Sequence, residues 1–161
     1  MNTRIDSEIS RCEEFTDILY HRQFLTMSNY NHHAGISCLE HTLAVAELTF
    51  WAARQLNLDY ISATRGALLH DFYLYDWHVN SPGFHGFKHP NLAKSNAERF
   101  FVLNEIEKDV ILKHMWPLTI IPPKYRESLL VSFTDKIVTA RDYSNVSRAR
   151  SKIRQNRFMV E

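Results

Sequence analysis

Eight of the nine histidines in this 161-residue chain fall between His32 and His114. Imidazole is the commonest side-chain ligand for transition metals, and a carboxylate beside it adds a hard, charge-neutralising donor that can bridge two cations. Clustered histidine and aspartate therefore point to metal chemistry. The candidates are His41, the tandem His70-Asp71, His89, His114 and the later Asp135. Each also has an ordinary structural reading. His41 can be a core histidine satisfied by a backbone carbonyl, Asp71 a helix cap and His89 a helix-start residue before Pro90. His114 can be a positive group favouring a helix C-terminus, and Asp135 can pair with Lys136 or Arg141 on a solvated face. Jointly those readings require a run of coincidences.

Positioning such residues falls to helices. Glycine is scarce, at 4 residues, and apolar residues recur at helical rather than alternating spacing, so the chain is expected to be all-α with six or seven helices and no strand. Ile5 to Leu25 suits one or two amphipathic helices on the outside of the core, and Ser28 to Ser37 a loop. Leu39 to Leu56 predicts a largely buried helix with His41 in its first turn. Asp59 can cap the next helix, which delivers His70 and Asp71 at its end. Pro90 fits the first position of a further helix, with His89 at its N-terminus. Asn104 and Glu107 resemble a capping box before a short helix that carries His114 and stops at Pro117. Pro122 and Pro123 are expected to open the last long helix, which carries Asp135.

Composition sets the frame. At 45% hydrophobic and 12% aromatic residues, the chain lies in the globular range and is long enough for one self-sufficient core. The expected layout is a helical domain over 1–146, with the candidate residues within about 33–141, and a basic C-terminal tail or frayed helix over 147–161. Lys and Arg number 19 against 18 for Asp and Glu, which gives no general reason to expect nucleic acid or an anionic membrane as partner. Cys12 and Cys38 have no Cys-x-x-Cys spacing, and the N-terminal sequence MNTRIDSEIS lacks an apolar signal stretch. No run approaches a spanning helix. A cytoplasmic location is the expectation.

The order of the candidates carries a resemblance. The motifs HHAGISCLEHTLAVAE, ALLHDFYLYDW, FKHPNLAKSNA, ILKHMWP and SFTDKIV, spanning about His33 to Arg141, resemble the HD-domain superfamily, a compact all-helical fold of metal-dependent phosphohydrolases. The resemblance implies that His41, His70, Asp71 and Asp135 bind one metal, and that Asp71, His89 and His114 bind a second, with Asp71 bridging. It implies two divalent metal ions, such as iron or manganese. The chain departs from the cyclic-dinucleotide phosphodiesterases of that superfamily, which continue the tandem as His-Asp-Ile-Gly-Lys and carry a Gly-Tyr-Pro signature. Here the sequence reads HDFYL and has no such signature, so the leaving-group acid is unassigned.

The activity implied by the resemblance is that of a metal-dependent hydrolase acting on a small phosphate ester or nucleotide through a metal-bridging hydroxide. His33 and Lys94 are the candidates for holding the phosphate; each is equally readable as a solvated residue. Ser37, Lys136 and Arg54 are lesser candidates. The aromatic run Phe72 to Trp77 is more readily core than substrate platform, and Asp76 and His78 read as exposed loop. The alternative is a di-iron oxygenase, because the superfamily includes such enzymes with the same six ligands and a gating tyrosine in the region of Tyr30. A metal-binding sensor module is a third reading. The expected partner is a small phosphorylated molecule, with neither membrane nor nucleic acid.

Overall fold

Apolar side chains at helical spacing do build helices along most of this chain. The structure is a computed structural model that describes residues 8–33, 35–75 and 85–158, with the side chains of residues 33, 85, 86, 146 and 148–158 outside that description. Among the described residues there are seven α-helices. They are α1 (Thr16–Leu19), α2 (Arg22–Leu25), α3 (Cys38–Gln55), α4 (Tyr60–Leu69), α5 (His85–Phe100), α6 (Glu105–Lys113) and α7 (Arg126–Phe158). Helix α3 packs on α4 and α7, α6 packs on α4 and α7, and α5 packs on α6. Between them lies a core that includes Leu39, Val45, Ala46, Ala67, Leu68, Val110, Ile111, Val131 and Val138. No described helix is long and apolar enough to cross a membrane.

The N-terminal segment differs from expectation. Instead of one or two amphipathic helices it forms short turns: 3-10 turns at Glu8–Arg11, Glu13–Phe15 and Thr26–Asn29, with α1 and α2 between them. Side-chain bonds to the backbone compete with helix propagation here. Thr16 Oγ1 donates to Glu13 O at 2.8 Å and Thr26 Oγ1 to Gln23 O at 2.7 Å, while extended His21 caps α2 through Nδ1. The segment is also core rather than cladding, since Ile9, Phe15, Ile18, Leu19, Phe24 and Met27 are all fully buried. Arg65 of α4 fastens it, pairing with Asp17 at 2.7 Å and bonding Glu14 O at 2.8 Å while holding the buried Glu107 of α6 at 2.9 Å.

Three further expectations are corrected. The stretch read as loop contains an antiparallel hairpin of β1 (Asn31–His33) and β2 (Ile36–Ser37), turned through Gly35 at φ +78°, a conformation that glycine adopts without a Cβ clash. Pro90 does not open its helix. Helix α5 begins at His85 and contains Pro90 one turn in, where the missing N–H removes a single early ladder bond. Pro122 and Pro123 precede α7 without joining it. A residue before proline is driven out of the α region, and the amides of Lys124 and Tyr125 are taken instead by Asp109 Oδ2, at 2.9 and 3.3 Å. Helix α7 then runs without a break through Ser147 to Phe158.

One contact fixes the crossing of α4 and α6. An added Cβ on Gly66 would lie 2.7, 2.8 and 3.0 Å from the Cβ and two methyls of Val110, so glycine permits an approach that no other residue would.

Candidate metal centre

Each candidate side chain sits at a point the local sequence determines. Helix α3 is started by a capping box in which Ser37 Oγ accepts from the Glu40 amide at 3.2 Å and Glu40 Oε2 accepts from the Ser37 amide at 2.9 Å. This places His41, fully buried, in the first turn. Helix α4 is started by Asp59, whose carboxylate accepts from the Ser62 amide at 3.0 Å. It ends with His70 as C-cap and Asp71 directly after. The expected Asn104–Glu107 capping box is present at the start of α6, which ends with His114 as C-cap. His89 projects from α5 and Asp135 from α7; both are buried.

The six side chains converge. The two oxygens of Asp71 face different histidines. Oδ2 lies 3.4 Å from His70 Nε2, whereas Oδ1 lies 3.2 Å from His89 Nε2 and 3.6 Å from His114 Nε2. Asp135 Oδ1 is 3.1 Å from His41 Nε2 and 3.9 Å from His70 Nε2. The Nε2 atoms of His89 and His114 are 2.8 Å apart. Two overlapping donor groups able to hold a metal ion result, His41–His70–Asp71 and Asp71–His89–His114, with Asp71 common to both.

Backbone carbonyls orient two of these rings. His70 Nδ1–H donates to Ala67 O at 2.7 Å and His114 Nδ1–H donates to Ile111 O at 2.8 Å. With Nδ1 carrying the proton, the neutral ring turns an Nε2 lone pair inward, as ligand histidines do. His70 Nε2 and Asp71 Oδ1 are buried without a hydrogen bond among the described residues. Native interiors rarely leave such atoms unsatisfied. Inward lone pairs, a shared carboxylate and orphaned donor atoms together fit the binding of metal.

Without a cation, charges in the cluster lean on one another. Burial disfavours the charged form of His70, but Asp71 and Asp135 carry its pKa up to about 9. Burial, with the charges of His89 and His70, pushes His114 down to about 3. Against its own burial, Asp135 is held at about 2 by its His41 bond and by the charges of His70 and His114. Asp71 is likewise buried, yet His70 above all holds it well below the ordinary carboxylate range. Every one of these shifts is a competition that a bound cation would settle for the deprotonated forms.

Lys94 is not brought to this cluster. It pairs with Glu98 at 2.6 Å and lies about 140° round α5 from His89, given roughly 100° per residue. The backbone of His33 is on β1, while its side chain lies outside the described residues. Its neighbour His32 is at the cluster, with Nε2 3.5 Å from Asp71 Oδ2 and Nδ1 3.2 Å from the Tyr73 hydroxyl. His32 went unread in the sequence, yet a signal existed. That signal is the histidine pair itself, two imidazoles next to each other just before the helix that carries His41. With Cys38 and Asp71, His32 forms a third group able to hold a metal.

The lesser candidates have structural work. Ser37 caps α3, and Arg54 lies over the Phe50 and Tyr60 rings while pairing with Glu8 at 3.3 Å. Lys136 Nζ donates to His114 O at 3.1 Å and to Ser132 O at 2.9 Å, tying α7 to the end of α6. Phe72 and Tyr73 are buried, in keeping with a core role for the start of the aromatic run. Asp76, Trp77 and His78 lie outside the described residues. Tyr30 is half-buried against the core, and its carbonyl accepts from the Cys38 amide at 2.8 Å.

Comparison of the chain with protein-family models, curated proteins and solved structures finds no match.

Proposed function

We propose that this chain is a metal-dependent hydrolase of the HD type, acting on a small phosphate ester or nucleotide with two divalent ions. The observation that carries the reading is the position of Asp71, a buried carboxylate whose two oxygens face separate histidine groups. His41, His70 and Asp135 would complete one site, and His89 and His114 the other. Such a pair supplies hydroxide near neutral pH and offsets phosphoryl charge. The chain's own contribution is to fix donor geometry. Asp71 joins the two sites, the α4 and α6 helix ends hold His70 and His114 with their lone pairs inward, and buried walls exclude water. His33 belongs to the same reading as a phosphate contact, and loss of phosphate affinity in His33→Ala at intact metal content is its separate test.

The deciding experiment is elemental analysis of the purified protein, followed by a panel of phosphate esters with Mn²⁺, Mg²⁺, Fe²⁺ and Co²⁺. Two metal equivalents per chain and phosphate release are expected. Asp71→Ala should lose both ions and His114→Ala mainly one. An iron pair that consumes oxygen without releasing phosphate would replace the hydrolase with an oxygenase. A protein that takes up no metal would end the reading.

A further inference from the structure

We infer that Asp142 is a positioning residue of this centre, fixing His41 in the orientation of a ligand. The inference rests on the two-ion reading above. His41 is gripped at both ring nitrogens, with Nε2 3.1 Å from Asp135 Oδ1 and Nδ1 3.5 Å from Asp142 Oδ2. Both carboxylates belong to α7, and their separation of seven residues is close to two turns, which puts them on one face of the helix.

The need for Asp142 arises from where His41 sits in its own helix. His70 and His114 are at helix C-termini, where the last carbonyls have no partner within the helix and can accept from Nδ1. His41 is in the first turn of α3, where the spare backbone groups are N–H donors. An acceptor for its Nδ1–H must therefore come from another element, and α7 supplies it. Asp142 is itself buried, and Arg141, whose Nε lies 3.8 Å from it, is more than half exposed. A buried carboxylate is costly unless bonded, and His41 is the buried group that offsets that cost. With a cation in place of the proton that Nε2 shares with Asp135, donation from Nδ1 to Asp142 would leave the Nε2 lone pair for that cation, and partners of this kind typically change metal affinity about 10–100-fold.

Mn²⁺ titration of the full chain, read by metal content after dialysis and by calorimetry, tests the inference. Asp142→Ala is expected to weaken one ion by about 10–100-fold and leave the ion at His89 and His114 unchanged. Asp142→Asn, which keeps the shape and an accepting oxygen, should fall between Asp142→Ala and the parent. A merely structural role would lower the melting temperature of the metal-free protein without singling out one ion. If the parent binds two ions and both variants weaken neither, or both equally, Asp142 does not position His41. If the parent binds none, the two-ion reading falls and this inference with it.

Discussion

Gly66→Ala puts the helix crossing beneath the cluster to a quantitative test. In an exposed helix this change would stabilise by about 1 kcal/mol, because alanine has the better helix propensity. Here the new methyl would meet three atoms of Val110 at 2.7–3.0 Å. Val110 is fully buried, and rotating its β-branched side chain exchanges one methyl for another and opens no space. Overpacking of this kind costs about 1–3 kcal/mol. At this closeness the upper part of that range applies, so a net loss of about 1–2 kcal/mol is expected. For a chain of this size the melting temperature should fall by about 2–8 °C. The specific control is Val110→Ala in the Gly66→Ala background, because the smaller residue vacates the volume the methyl needs. A double-mutant cycle in urea should return a favourable coupling of about 1–2 kcal/mol. Full parental stability in Gly66→Ala, or a cycle with no coupling, would refute the close packing of α4 on α6 as the reason for the glycine.

Three other outcomes are expected. In the metal-free protein, His70, raised to about 9, contributes stability that is fully present below pH 6.5 and lost as pH rises through about 9. His114, lowered to about 3, contributes stability present above pH 6.5 and lost as pH falls toward about 3. Urea midpoints should therefore peak between these limbs, and saturating Mn²⁺ should flatten the alkaline one. Arg65→Met strips the buried Glu107 of its cation and releases the Asp17 segment; a loss of about 3 kcal/mol in chemical denaturation is expected. Asn104→Ala removes the α6 capping box and the 2.8 Å bond to Ser62 Oγ. It should cost about 1–2 kcal/mol by the same measurement.

How far the sequence could be read depended on the range of the signals. Long elements declared themselves, since α3 and α4 follow from sustained apolar periodicity and the Asp59 cap, and the start of α6 from Asn104 and Glu107. The convergence of His41, His70, Asp71, His89, His114 and Asp135 was legible from their order along those helices. The hairpin was not, because strands of three and two residues are too short for alternation to register. Without the hairpin, nothing brought His32 toward Asp71. Pro90 misled because a proline past the first turn is tolerated at the loss of one ladder bond and so does not say which residue begins the helix. Asp142 lies beyond the SFTDKIV segment and has no place in the sequence reading, although its spacing from Asp135 already puts it on the same face.

The carbonyls of Ala67 and Ile111 belong to the main chain, so the bonds that orient His70 and His114 need no particular side-chain chemistry at those two buried positions. What the arrangement does not tolerate is a change of length. Deleting one residue between Asp59 and His70 would turn the histidine by roughly 100° about the helix axis and draw it back about 1.5 Å. Helix α4, from its Asp59 cap to His70, and helix α6, from its Asn104 cap to His114, therefore act as rulers. Beyond the Gly66–Val110 contact and the Arg65–Glu107 pair, what these two helices must keep is their residue number.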